Sequence, residues 1–414
     1  MNKKRIYLCL AHMSGNEMKY IQEAFDTNWV VPLGPNVNGF EADLKAFAGG
    51  NKEVVALSAG TAAVHLALLA CGVGPGDEVL VQTFTFCASS HPVTYLGATP
   101  VFVDSEPDTW NMDPQLLETA IQDRMEKTGR KPKAIVPVYL YGMPAKIDEI
   151  MAVAAKYDIP VIEDAAEGLG SRYDGRVCGT FGRYGVLSFN GNKMITTSGG
   201  GAIICPDESA KQKIMFYATQ ARESYPYYQH EEIGYNYRMS NICAGIGRGQ
   251  MTVLNEHIAH HQRIAQLYKE LLANVKGITL HENPSSRYDS NYWLNTVLLD
   301  ENLKVKGEER AYAAAIQGAV GGAAGVTHEA KTLHTDCEPN RNVEAMRMAL
   351  DEAGIESRPL WKPMHKQPVY RNNPCYVNGV SEALFKRGLC LPSGPCVTDE
   401  DVRYIVEQMK ACLQ

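Results

Sequence analysis

From Val54 onward the chain alternates short apolar runs with helix-forming stretches, and few folds accept that order. Val54–Leu57, Glu78–Gln82, Val101–Val103, Ala134–Val138 and Pro160–Glu163 read as strands. Between them Ala62–Cys71, Cys87–Leu96, Pro114–Ile121 and Ile147–Lys156 read as helices. The third of these has Asp113 placed as N-cap and Pro114 at its first position. Strands that alternate with helices across short turns imply a mostly parallel sheet covered by helices on both faces. Ahead of this region lie a polar lead-in, Trp29–Phe40, and an amphipathic piece, Phe40–Ala48. Ligands of such sheets bind outside the carboxyl ends of the strands. The residues that follow each strand are therefore the ones to read for chemistry.

Ser58-Ala59-Gly60-Thr61 falls between a strand and a helix. Free backbone N–H groups at a helix start, with a small glycine and a hydroxyl, suit a phosphate; the same turn also serves as a plain helix cap. Phe86, just past the strand ending at Gln82, can stack on a flat ring or pack into the core. In Val161-Ile162-Glu163-Asp164-Ala165-Ala166-Glu167 an apolar strand runs straight into carboxylates. Asp164 at that rim can hold a ring nitrogen protonated through a charge-assisted hydrogen bond, or cap a helix.

Gly182–Cys205 reads as a strand (Val186–Phe189), a tight turn at Gly191-Asn192, Lys193, and a glycine run entering a second strand. That hairpin-like layout holds Lys193 at the rim of a sheet. A lone turn lysine is ordinarily solvated, but burial converts such an amine into a nucleophile for an aldehyde. Ser188 places a hydroxyl on the same rim. A phosphate site, a stacking aromatic, a carboxylate for a pyridine nitrogen and an amine for an aldehyde together describe pyridoxal 5′-phosphate.

Composition narrows the alternatives. A 414-residue chain allows two domains of ordinary size, and 45% hydrophobic with 21% charged residues is the composition of a globular protein. A formal charge of −7 argues against nucleic-acid binding. No stretch approaches the length of a membrane span, and the apolar run Ile6–Ala11 is too short for a signal peptide. The eleven cysteines show no CxxC pair and no zinc-like spacing with histidine. The expectation is a reduced, cytoplasmic protein with no metal site.

The sequence resembles the DegT-type nucleotide-sugar aminotransferases, which belong to the aspartate-aminotransferase-like (fold-type I) pyridoxal phosphate enzymes. The matching pieces, in the family's order, are GPNVNGFEADLKAF, LSAGTAAVHLAL, GDEVLVQTFTF, GATPVFVD, PVYLYG, VIEDAAEGLGS, SFNGNKMITTSGGGAI and GYNYRMSNICAGIGRGQ, with SRPLWKPMH and CLPSG nearer the C-terminus. The resemblance implies an α/β three-layer sandwich with a mostly parallel central sheet over residues 1–270. A smaller C-terminal α+β domain would occupy 271–414, with an inserted loop near 301–341.

By the same resemblance Lys193 is the catalytic amine and proton shuttle, and Asp164 pairs with the pyridine nitrogen. Phe86 stacks on the ring, while Gly60, Thr61 and Ser188 hold the phosphate. Glu167 stands where the family often has glutamine near the ring hydroxyl, so a carboxylate there must share a proton or find another partner. Asn236 matches an asparagine that reaches the cofactor of a neighbouring subunit, which implies a homodimer with shared active sites. His365 matches a histidine near the sugar, with Trp361 and Arg358 as weaker candidates.

The implied reaction moves an amino group from glutamate to a keto nucleotide sugar. The phrase ESRPLWKPMHKQPVY points to C4 of a UDP-linked 2-acetamido-4-keto-6-deoxy sugar, used in bacterial glycan synthesis. GDP-4-keto-6-deoxymannose and a 3-keto sugar are the alternative substrates. A sugar dehydratase on the same scaffold carries histidine at the lysine position, so Lys193 speaks against it, and retention of the whole residue set speaks against a non-catalytic regulator.

Overall fold

In the computed structural model the described residues are 5–311 and 337–414. The strands of the first half are β1 (Glu53–Leu57), β2 (Glu78–Gln82), β3 (Thr99–Val103), β4 (Ala134–Val136) and β5 (Ile162–Asp164). Two short strands follow, β6 (Arg172–Tyr173) and β7 (Arg176–Val177), and then β8 (Tyr184–Ser188) and β9 (Gly201–Cys205). The C-terminal part adds β10 (Ile278–Leu280), β11 (Tyr288–Asp289), β12 (Asn295–Leu299), β13 (Arg358–Pro359), β14 (Cys375–Tyr376) and β15 (Gly388–Leu391).

Two four-stranded sheets, β1-β9-β8-β5 and β14-β3-β2-β4, meet side by side. Parallel bridges Ile135↔Val161 and Val138↔Asp164 join β4 to β5, so the layer reads β1-β9-β8-β5-β4-β2-β3-β14. Within it β9 runs antiparallel to both neighbours, and the other pairs are parallel. Alternate side chains leave opposite faces of a strand. Val54, Ala56, Leu80, Val101 and Ile135 join one apolar cluster with helices Pro35–Phe47, Pro114–Thr128 and Ile147–Tyr157. Val55, Leu57, Val79, Val81 and Phe102 join another with helices Gly60–Ala70 and Glu208–Ala218. Both faces are buried, so the strands read as continuous apolar runs. This is the three-layer α/β arrangement that the alternation implies.

The expected hairpin is present: β8 pairs antiparallel with β9, with Ser188 opposite Gly201. Asp113 caps the helix behind it through its side chain, accepting from the N–H groups of Gln115 and Leu116. The single helix expected over Cys87–Leu96 is instead a 3₁₀ turn, Cys87–Ser89, and a short helix, His91–Tyr95. Pro92 has no N–H to give and is tolerated only in a first turn, so the helix starts afresh there. Tyr292 is left-handed (φ +48°), and β12 begins after it, at Asn295. The amphipathic piece starts earlier than Phe40, at Pro35, and Glu17–Asp26 is a further helix ahead of it.

The C-terminal sheet β10-β12-β15-β13 is antiparallel throughout. Helices Leu254–Leu272, Arg341–Glu352 and Asp399–Ala411 pack aliphatic side chains against it. The lead-in reaches the same unit, since Ile6 bridges Ile355 in parallel. From the C-terminal third, β14 crosses back to lengthen the large sheet beside β3. Most of the insertion expected near 301–341 lies outside the described residues. No helix among the described residues is long and apolar enough to cross a membrane.

Candidate active site

The carboxyl ends of β5 and β8 lie side by side in the large sheet, and the loop after β2 reaches them. Asp164 is the last residue of β5, and its strand-end position turns its side chain toward the loop after β2. Ser89 Oγ donates to Asp164 Oδ2 at 2.6 Å, and the Ala166 N–H donates to Oδ1 at 3.1 Å. Ser89 is itself linked to Thr85 at 2.7 Å. Burial pushes the Asp164 carboxyl up, against the pull of Ser89, the Ala166 amide and Lys193. A buried carboxylate held by a hydroxyl and an amide is suited to accept a charged N–H.

Lys193 is carried by the loop between β8 and β9, which closes on itself through Lys193 N–H to Asn190 O (2.9 Å) and Thr197 N–H to Phe189 O (2.9 Å). Its Nζ donates to Glu167 Oε1 at 3.1 Å. Glu167 Oε2 accepts from the Tyr141 N–H at 2.7 Å. Burial raises the Glu167 carboxyl, and the charge of Lys193 opposes that rise. Within the chain the partners of Glu167 are the lysine amine and a backbone amide. Lysine and glutamate are both largely buried, with side-chain exposures of 13% and 4%. Such a pair is held by its mutual charge rather than by solvent.

Gly60 opens helix Gly60–Ala70, and its N-cap, Ala59, has no side chain able to cap. The first N–H groups of that helix therefore point outward with their share of the helix dipole. Ser188, at the end of β8, faces them: a Cβ placed on Gly60 would lie 3.0 Å from Ser188 Cβ and 3.3 Å from its Oγ. Gly201, opposite Ser188, carries the helix start closer still, for a Cβ there would lie 2.4 Å from Ala59 C and from Gly60 N. Thr61, half-buried, completes the group. An uncapped helix start, two hydroxyls and a glycine-lined approach fit a phosphate.

The other sequence candidates fall around this centre. Phe86 is 54% exposed, and its ring lies 5.4 Å from that of Trp361, leaving its outer face open. His365 is tied to Thr83 at the end of β2, Nδ1 to Oγ1 at 2.8 Å, and burial lowers its basicity. Asn236 is exposed and bridges Thr219 through its backbone. Arg358 bonds to Glu356 at 2.9 Å. Trp361 sits within the aromatic group, its N–H donating to Tyr141 Oη at 2.8 Å.

The reading of the sequence did not single out Ser89, Tyr141, Asn291 or Trp293, all of which touch the central acids or the lysine. Tyr141 holds a left-handed conformation (φ +54°) that turns its N–H onto Glu167. The signal for it was PVYLYG, a strand followed by a tyrosine before glycine; Ser89, Asn291 and Trp293 carried none.

Anion cradle, buried aspartate, amine and exposed aromatic together fit pyridoxal phosphate, and with the sheet order they define a fold-type I enzyme of that class. The signature of the DegT/DnrJ/EryC1/StrS aminotransferase family matches residues 11–335 and 324–410, and the chain belongs to that family. It is 45% identical over 408 residues, 98% of this chain and 95% of the relative, to EpsN of Bacillus subtilis (strain 168), provisionally named a pyridoxal phosphate-dependent aminotransferase. It is 34% identical over 411 residues, 99% of this chain and 98% of the relative, to the GDP-perosamine synthase of Caulobacter vibrioides. The crystal structure of a DegT DnrJ EryC1 StrS aminotransferase from Brucella abortus superposes with a TM-score of 0.81 at 27% identity, covering 96% of this chain and 95% of that one.

Proposed function

We propose that the protein is a pyridoxal phosphate-dependent aminotransferase that places an amino group on C4 of a 4-keto-6-deoxy sugar carried by a nucleoside diphosphate. The observation that carries the reading is the Lys193 amine, 3.1 Å from Glu167 and close enough to Asp164 to act on its charge. When bound, the cofactor supplies an aldehyde to carry the amino group and a ring that draws electrons from the reacting carbon. Lys193 would hold the aldehyde group and, when free, would move a proton at the donor's α-carbon. Asp164 keeps the ring nitrogen protonated, and Ser89 keeps Asp164 aimed. Gly60, Thr61 and Ser188 hold the phosphate, and Phe86 covers the ring. His365 lies on the substrate side.

Glutamate is the amino donor in this reading, and the setting is the cytoplasm. Two copies share their sites, with Asn236 of each serving the other. Residues 1–270 supply the cofactor-holding sheet apart from β14, and 271–414 supply the smaller sheet. The substrate is the UDP-linked 2-acetamido-4-keto-6-deoxy sugar, which ESRPLWKPMHKQPVY supports. A second reading, amination of GDP-4-keto-6-deoxymannose, is favoured by the near full-length likeness to a GDP-perosamine synthase.

The test is the absorption of the purified protein loaded with pyridoxal phosphate. Glutamate is expected to bleach the visible band, and one keto nucleotide sugar of a panel to restore it. The restoring sugar names the substrate. Lys193→Ala is expected to lose at least a thousandfold in turnover with the fold unchanged. Substantial turnover by that variant, or a protein that takes up no cofactor, ends the proposal.

A further inference from the structure

Trp293 has no part in the roles assigned above, yet it touches the lysine from two directions. Its ring centroid lies 4.1 Å from Lys193 Nζ. Its Nε1–H donates to the carbonyl of Asn192, the residue before the lysine, at 2.6 Å. One indole therefore holds both the backbone that carries the amine and the amine itself. Glu167 Oε1, 3.1 Å from Nζ, is the amine's other close partner.

The indole is itself braced. The Trp293 N–H donates to Asn291 Oδ1 at 2.8 Å. Asn291 Nδ2 donates to the carbonyls of Glu167 (2.8 Å) and Leu169 (2.9 Å), and its backbone N–H donates to Ser171 Oγ at 2.9 Å. Ser171 Oγ in turn donates to the carbonyl of Gly142 at 2.6 Å. Gly142 has φ +95°, and a Cβ there would fall 1.9 Å from Asn291 Oδ1. A fully buried amide thus ties the tryptophan, the Glu167 backbone and the Tyr141–Gly142 turn into one unit.

We propose that Trp293 is a positioning residue for Lys193, the face of its indole being the seat on which the charged amine rests whenever it is not bonded to the cofactor. The proposal rests on the reading of Lys193 as the catalytic amine. The face of an indole is electron-rich and attracts an ammonium, most strongly where water is excluded. An aliphatic side chain of equal bulk fills the space without that field. Trp293 and Glu167 then keep the released amine beside the reacting carbon, where it is needed for the proton transfer.

Fluorination of the indole withdraws electron density from the face with almost no change of shape, so it separates the field from packing. Tryptophans bearing one, two and three fluorines are placed at position 293 alone, leaving Trp29, Trp110 and Trp361 natural. In the cofactor-free full chain, the rate of Lys193 acetylation by acetic anhydride at fixed pH is read by peptide mass spectrometry. A weaker seat holds the amine less firmly, so the rate is expected to climb stepwise, to about tenfold across the series. In the loaded enzyme kcat is expected to fall along the same series with KM for the keto sugar unchanged.

A flat acetylation series overturns the seat, whatever the turnover. A flat series with normal turnover leaves the aminotransferase reading standing. A rising series in a protein without transamination supports the seat and removes that reading instead. Trp293→Phe, which keeps a ring face and loses the Nε1 bond, is expected to fall between the natural enzyme and Trp293→Leu.

Discussion

At the carboxyl edge of the large sheet Glu163, Asp164 and Glu167 are all buried within a few residues of one another. In the C-terminal unit the space between sheet and helices is filled by Val297, Leu299, Leu350, Leu389, Leu391, Ile405 and Val406. The second arrangement gains stability from every side chain it encloses. The first gives up stability wherever it removes a carboxylate from water. Even the acids differ among themselves. Glu163 is satisfied by the Gly179 and Gly182 amides and the Tyr139 hydroxyl, whereas Glu167 meets a lysine amine. The cost at the edge falls on the groups that would touch a cofactor.

The sharpest way to break this comparison is to damage the aliphatic side and look for an effect on chemistry. Ile405→Ala leaves a cavity and is expected to lower stability by about 2–5 kcal/mol, read by denaturant unfolding. Turnover per folded molecule is expected to stay unchanged. A parallel loss of kcat would show that the two regions are not separable.

Gly201→Ala works from the other side. The new methyl would strike the Ala59–Gly60 backbone, so the helix start must move. A stability loss of about 1–3 kcal/mol is expected. Cofactor affinity should fall by at least about tenfold, measured by titration of absorbance, because the phosphate cradle opens.

Asp164→Asn is expected to have the opposite sign on stability. Burial raises the Asp164 carboxyl, so the folded chain binds that proton more readily than the unfolded chain does. The penalty is present in full above the raised value and vanishes as pH falls through it into the ordinary carboxylate range. The cofactor-free variant should therefore melt a few degrees higher than the parent near pH 8, with the gain shrinking towards pH 4, while the loaded variant loses activity. A lower melting point in the variant would mean that Asp164 stabilises the fold.

Glu17 provides the contrast at the smallest scale. Burial pushes its carboxyl up, but the Gln250 side chain and the Ser14 amide outweigh it and bring the carboxyl down to about 2. Its contribution is present above the ordinary value of 4.5 and is lost as pH falls towards 2. Glu17→Gln should cost about 1 kcal/mol at neutral pH and almost nothing near pH 2, in thermal melts across that range.

Much of the large sheet was legible in the chain. β2 runs from Glu78 to Gln82 as read, the Asp113–Pro114 helix start is where capping places it, and the hairpin around Lys193 pairs Ser188 with Gly201. Each of these is a local matter. Strand runs, caps and turns depend on neighbours in sequence, and their energies are large enough to register there. The candidate residues Lys193, Asp164 and Glu167 were legible for a related reason: Asp164 ends a strand and the other two lie in the loops that follow strands, where such a sheet puts its ligands.

The rest depended on which distant segments pack together. Nothing near Cys375–Tyr376 announces that it will lie beside β3, since a short strand has no preferred partner until the surrounding helices are in place. Glu167 looked like a misplaced glutamine until the fold brought Lys193 to one oxygen and the Tyr141 amide to the other. Trp293 stands a hundred residues beyond the lysine it touches, and a tryptophan's sequence neighbours cannot say whether its face meets an aliphatic core or an ammonium. The chain alone determined the layers, the sheet edge and the chemistry available on it. Only the tertiary structure decided what stands around the amine, because contacts between remote segments arise from shape and burial rather than from local preference.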